Sequence, residues 1–193
     1  MTPSETIEHI RRLFAQYGHH TYGEAMSQTQ HAIQAARLAA AQGQPDEVVL
    51  GAFLHDIGHL LVNEVAESQR DDAIHRHQKV GADHLRALGF SDRVITLVEH
   101  HVAGKRYLTA INSEYHDKLS PASIESLGFQ GGPMSPSEVR EFEELADRHL
   151  YLDLRRWDDL AKDPDDQDTN LEPYLEMALH HLEAQRSGSA KSH

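Results

Sequence analysis

Cysteine is absent from all 193 residues, so disulfides, thiolate zinc sites and cysteine-ligated iron–sulfur clusters are excluded. Any metal chemistry must therefore rest on imidazole and carboxylate. Basic residues are scarce as well. The 18 Lys+Arg against 31 Asp+Glu leave a net charge of −13, and no basic run is present to grip a phosphate backbone, which argues against nucleic acid as a partner. Long apolar runs are also missing: residues 48–54 fall far short of the roughly 20 that a membrane-spanning helix needs. The N-terminus MTPSETIEHIRRLF is charged throughout and lacks the apolar centre of a signal peptide, so a soluble cytoplasmic protein without membrane partners is expected. What the chain has in excess is histidine, 16 residues against 5 Phe and 6 Tyr.

Alternating Val/Ile/Thr runs are lacking too, while helical periodicity runs almost throughout, so the fold class expected is all-α. One domain over residues 1–187 is expected, with a disordered tail at 188–193. Ser4 is placed to cap a first helix carrying Ile7, Ile10, Leu13 and Phe14, which Gly18 would end. A second helix is expected from about Glu24 to Gln42, with Ala32, Ala35, Ala36 and Ala39 on one face. A third has Pro45 in its first turn and carries Val48, Val49, Ala52, Phe53 and Ile57. Further helices are expected at 77–88, 91–102, 138–150, 152–162 and 171–184. Between Gly104 and Ser137 the pattern weakens, and QGGPMSPS from Gln130 is a loop by composition.

The strongest local signal is FLHDIGH, residues 53–59, inside an apolar helical stretch. Burying His55 beside Asp56 requires a compensating partner, and a metal is one. His59 follows His55 by one helical turn, which would put three polar groups on one face. Two surface histidines beside a capping Asp would read the same way. That bland alternative weakens once His31, His77 and the pair His100–His101 are counted on separate apolar helices. Zinc, iron and manganese all suit such a donor set, and periodicity does not say which of His100 and His101 points inward.

The order His31, His55-Asp56, His77, His101 and a late Asp resembles the HD-domain superfamily of helical metal-binding proteins. Within it the chain is similar to the mixed-valent di-iron oxygenase branch, in particular to the dioxygenases of 2-amino-1-hydroxyethylphosphonate and of its N-trimethylated analogue. The matching segments are GEAMSQTQH (23–31), LHDIGH (54–59), HQKVGADHLRALGFSDRV (77–94), HVAGKRYL (101–108), LSPASIESLGFQGGPM (119–134) and RRWDDLAK (155–162). A bare HD pair is common to many hydrolases, whereas KRYL and FQGGPM in this order are far more selective.

The resemblance implies a single HD-type helical bundle with a dinuclear site holding two iron ions, Fe(II)/Fe(III), with O2 as co-substrate. It assigns His31, His55, Asp56 and Asp158 to one iron, and Asp56, His77 and His101 to the other. Asp158 is chosen over Asp159 because it follows Trp157 as in the family motif, and His100 is left as a surface neighbour. Lys105, His59 and Ser123 match positions that hold phosphonate oxygens, with Gln130 to Gly132 closing over them, and His59 is also a candidate proton carrier. Glu24 matches the carboxylate that receives the substrate nitrogen. The family's Tyr three residues before that Glu is Thr21 here, with Tyr22 one place later, so the lip of the amine pocket has changed.

The implied reaction is O2-dependent cleavage of the carbon–phosphorus bond of a small organophosphonate, giving phosphate and glycine or glycine betaine. The changed lip favours the N-trimethylated substrate. An upstream hydroxylase of the same pathway would supply the 1-hydroxyl group. The rival reading is an HD-type metal-dependent phosphohydrolase of a nucleotide or phosphate monoester, which the same ligands would serve.

Overall fold

The computed structural model describes residues 1–21 and 25–190, and among these it contains helices, turns and no strand. Tyr22 and Glu24 lie outside the described residues. In chain order the helices are α1 (Pro3–Tyr17), α2 (Gln28–Ala41), α3 (Asp46–Leu54), α4 (Ile57–Leu61), α5 (Glu67–His75) and α6 (His77–Leu88). They are followed by α7 (Asp92–Ile111), α8 (Ser113–Asp117), α9 (Pro121–Phe129), α10 (Pro136–Glu143), α11 (Arg148–Leu160) and α12 (Glu172–Ala190). No described helix is long and apolar enough to cross a membrane.

Several boundaries differ from the sequence expectation, each for a local reason. The cap of α1 is Thr2 rather than Ser4: with Pro3 in the first turn, Thr2 and Glu5 form a reciprocal capping box. Ser27 does the same for α2 with Gln30, so that helix begins after residue 24. Pro45 is the N-cap of α3, just outside its first turn. The break expected near Tyr151 falls at residues 144–147, because Ser135, Pro136 and Glu138 start α10 early and Tyr151 packs into the core from within α11. The last helix runs to Ala190, beyond the end expected at 184, with Ser187 Oγ donating to Glu183 O.

The core forms around α3, whose residues from Val48 to Leu54 are all buried. A helix apolar on every side must be surrounded, and α2, α7, α11 and α12 pack around it. Full burial of Leu50, Phe53 and Leu54 stabilises the fold by about 1.5–3 kcal/mol each. Gly51 lets α7 approach closely, since a Cβ there would stand 2.6 Å from Leu97 Cδ1.

This buried helix stops where the HD pair begins. Asp56 has φ −102° and ψ 12°, outside the helical range, and α4 restarts after it. His55, Asp56 and His59 therefore do not share one continuous helical face. The break turns Asp56 out of the apolar core towards α6 and α7 while His55 stays fully buried.

Candidate metal centre

Five elements deliver polar side chains to one point. His31 comes from α2, His55 and Asp56 from the α3–α4 junction, His77 from the first turn of α6, His101 from α7 and Asp158 from α11. Asp56 is at the centre. Its Oδ2 faces His31 Nε2 at 3.8 Å and His55 Nε2 at 3.6 Å, while its Oδ1 faces His77 Nε2 at 3.5 Å and His101 Nε2 at 3.4 Å. Asp158 Oδ1 joins the first group, 3.3 Å from His31 Nε2 and 4.0 Å from His55 Nε2. One carboxylate thus looks at two separate donor sets through its two oxygens.

The four imidazoles are fixed from behind. Their Nδ1 atoms lie 2.8 Å from Ala161 O, 2.8 Å from Ala52 O, 3.0 Å from Ile74 O and 2.7 Å from Val98 O, for His31, His55, His77 and His101 respectively. A carbonyl oxygen only accepts, so each Nδ1 carries a proton and each Nε2 is left to face Asp56. The Nε2 atoms of His31 and His55 are 3.2 Å apart, and those of His77 and His101 are 3.1 Å apart. Two ring nitrogens at that distance need a proton or a metal cation between them. Imidazole and carboxylate oxygen are donors that iron, manganese and zinc accept, so the residues fit a metal centre.

The electrostatics agree. Burial opposes charge on His31, yet Asp158 and Asp56 raise it to about 9, so the site draws in a proton where it would draw in a cation. Burial also works against the Asp56 carboxylate, but His55 and His101 hold it well below its ordinary value. Burial and the neighbouring His59 push His77 well down, which leaves its Nε2 as a donor.

Asp158, not Asp159, faces the histidines. Its other oxygen accepts from Arg155 Nη1 at 2.6 Å, while Asp159 bonds Tyr115 Oη at 2.6 Å and the same Arg155. Arg155 is buried, and burial disfavours its charge, but Asp158 and Asp159 outweigh this and raise it further. Sequence reading gave this arginine no role, although its place one helical turn before Asp158 and Asp159 is the spacing of an ion pair. Replacing Arg155 with Met leaves two carboxylates near the core without their cation. Chemical denaturation of the metal-free protein should then show a loss of about 3–5 kcal/mol; an unchanged midpoint would mean that the pair contributes nothing.

Beside the cluster lies a cavity of about 400 Å³. Lys105, Ser123, Ser126, Gln130 and Lys162 line it together with His59. Lys105 Nζ donates to Ser126 Oγ at 2.8 Å, and burial with the nearby Arg155 lowers it to about 8 against the pull of Asp158 and Asp56. Ser126, one turn beyond Ser123 on α9, was passed over in the sequence, as was Lys162, which donates to Ser120 Oγ at 3.2 Å. His59 stacks on His77 with ring centres 3.9 Å apart, and its Nε2 is 4.0 Å from Asp56 Oδ1. His100 is elsewhere: it donates to Thr96 O and stacks on Tyr151.

The glycine loop departs from expectation. Gln130 lines the cavity, but Gly131 and Gly132 take left-handed φ of 96° and 70° and turn to Arg106, whose Nε donates to Gly132 O at 2.9 Å. Met134 N donates back to Arg106 O at 3.1 Å, so the loop is tied to α7 and does not close over the cavity through its glycines.

Comparison with known proteins follows the same lines. The HD domain family matches residues 17–127. The chain is similar, at 40% identity over 161 residues covering 82% of it and 81% of the relative, to a [1-hydroxy-2-(trimethylamino)ethyl]phosphonate dioxygenase (glycine-betaine-forming) of Leisingera caerulea. It is equally similar, at 40% over 162 residues (83% and 80%), to a hydroxymethylphosphonate dioxygenase of Gimesia maris. An uncharacterized protein of Acanthamoeba polyphaga mimivirus is 36% identical over 160 residues (82% and 73%).

Proposed function

The chain belongs to the HD domain family, and we propose that it is an iron-dependent dioxygenase cleaving the carbon–phosphorus bond of a 1-hydroxyphosphonate. One O2 is consumed per substrate; the C–P bond breaks, and a carboxylate, inorganic phosphate and a proton are released. The single observation carrying this reading is the carboxylate of Asp56 set between two imidazole pairs, with the Lys105 ammonium in the adjoining cavity. Two relatives that share four-fifths of their length with this chain are named as dioxygenases of hydroxyphosphonates, which supports the reaction class.

In this reading His31, His55, Asp56 and Asp158 hold one iron, and Asp56, His77 and His101 hold the other. The irons, when bound, supply O2 binding and the redox change. The chain's own residues bind and orient. Lys105 meets the phosphonate dianion as a compact charge, and gaining that partner draws its lowered pKa back up, so the lysine is protonated in the complex. Ser123 and Ser126 offer hydroxyls at the same end, and His59, on the wall between Asp56 and the cavity, is placed to hold or pass a proton. Arg155 keeps Asp158 aligned from behind. Glu24 and Tyr22 belong to the amine end in this proposal, and the N-trimethylated substrate, giving glycine betaine, is the preferred one.

The test is phosphate release from the iron-loaded chain with 1-hydroxy-2-(trimethylamino)ethylphosphonate, in air and under argon. Release is expected in air alone, should vanish after chelation, and should return with Fe(II) and ascorbate but not with zinc. Equal release under argon would overturn the oxygenase reading in favour of hydrolysis.

A further inference from the structure

Away from the histidine cluster the cavity runs along one face of α9. Ala122, Glu125, Ser126 and Phe129 recur at helical spacing and all line it. Ser126, which holds Lys105, marks the polar end of this face. Phe129 marks the opposite end: it is 58% exposed, and its ring stacks on His75 of α5 with centres 4.5 Å apart and planes 11° apart. The cavity therefore has a cationic, hydroxyl-rich interior and an aromatic mouth built from two helices. Glu125 is the one carboxylate among the described lining residues that does not belong to the histidine cluster.

That polarity fits a dipolar ligand. A substrate anchored by its dianion at Lys105 directs whatever C1 carries away from the lysine. The two relatives, by their names, act on compounds that share the hydroxyphosphonate end and differ in that substituent, a trimethylammonium-bearing carbon in one and hydrogen in the other. Discrimination between such compounds must come from the part of the cavity beyond the phosphonate end. A quaternary ammonium donates no hydrogen bond and is recognised by aromatic surface together with a carboxylate. Resting on the function proposed above, we propose that Glu125 and the stacked His75–Phe129 pair act with Glu24 as the specificity subsite for a cationic, N-methylated C1 substituent. With a water occupying about 30 Å³ of liquid, a cavity of about 400 Å³ has room for that group beside the phosphonate.

The experiment compares kcat/KM of the iron-loaded full chain for hydroxymethylphosphonate, 2-amino-1-hydroxyethylphosphonate and the N-trimethylated compound. Affinity is measured in parallel by calorimetry under argon, which does not depend on turnover. Phe129→Ala should lower kcat/KM for the N-trimethylated compound about tenfold, through KM, and leave hydroxymethylphosphonate within about twofold. Phe129→Tyr, which keeps the ring, should restore it. Glu125→Gln should weaken both ammonium compounds and spare hydroxymethylphosphonate. A uniform change across the three substrates, no change, or selectivity lost only in Glu24→Ala would overturn the subsite while the oxygenase reading stands. So would a wild-type chain that turns over hydroxymethylphosphonate alone. A wild-type chain that releases phosphate from none of them overturns both.

Discussion

Asp56→Asn is expected to abolish two-metal binding and to lower C–P cleavage by about a thousandfold or more. Asn keeps the shape of the side chain but replaces the charge shared by two imidazole pairs with a dipole. One amide end is an N–H2 donor, which cannot ligate a metal, and it would face Nε2 atoms that Ala161, Ala52, Ile74 and Val98 hold in place from behind. A bound metal is worth several kcal/mol of charge stabilisation, and at about 1.4 kcal/mol per decade that is the thousandfold loss. Metal content per chain and the electron paramagnetic resonance spectrum of the iron-loaded protein are the measurements, taken beside phosphate release. Asp158→Asn is the control, because of the four histidines Asp158 faces only His31 and His55. It should lower occupancy of that half and leave the other half measurable. If Asp56→Asn retains two metals and full activity, the carboxylate does not bridge.

Why Asp56 can occupy that place was only partly legible in the sequence. Apolar neighbours on both sides of HD pointed to burial, which holds in full for His55, and burial required a partner. Periodicity, however, extrapolates a regular helix, and the helix is interrupted at Asp56. Without the break, His55 and Asp56 would point in directions about 100° apart, and Asp56 could not reach both pairs. The start of α6 at His77 was read correctly, because Gly89 and the apolar spacing fix that helix from its other end. The extent of α7 was not: its apolar stripe gives way after Val102, where Lys105 faces the cavity and Thr109 turns its hydroxyl back to Lys105 O, so polar residues are buried where the pattern stops.

The same limit hides the mouth of the cavity. In α5 only Ala73 is buried, so the helix has no apolar stripe, and His75 meets Phe129 across 54 positions of chain that no local spacing relates. Between Asp158 and Asp159 the sequence offered only a motif. The structure separates them by partner, with Tyr115 engaging Asp159 and the histidines facing Asp158. Arg155 shows the converse, a residue legible from spacing alone that went unread because its partners were considered only as metal ligands.

Gly58→Ala is expected to be the most damaging change that removes no ligand. A Cβ on Gly58 would stand 1.9 Å from the His77 carbonyl oxygen and 3.0 Å from His77 Cα. Those are backbone atoms, with no rotamer to move aside, so α4 and α6 must separate by more than an ångström. Gly81 sits against the same crossing, where a Cβ would be 3.2 Å from Gly58 N, so the helices meet backbone to backbone at this point. Because His77 is the first residue of α6, the displacement falls on the pair it forms with His101. Forced overpacking costs about 1–3 kcal/mol, and a shift of about one ångström in a positioned group costs about a hundredfold in rate. Gly58→Ala should therefore lower Tm and cut activity about a hundredfold while His31 on α2 and Asp158 on α11, elements the clash does not touch, with His55 at the buried end of α3, keep one metal per chain. Gly81→Ala, with its closest contact at 3.2 Å rather than 1.9 Å, should do the same to a smaller degree. If Gly58→Ala keeps its Tm and both metals, the close crossing of α4 over α6 is not what fixes His77, and the positioning must come from the Nδ1 bond to Ile74 alone.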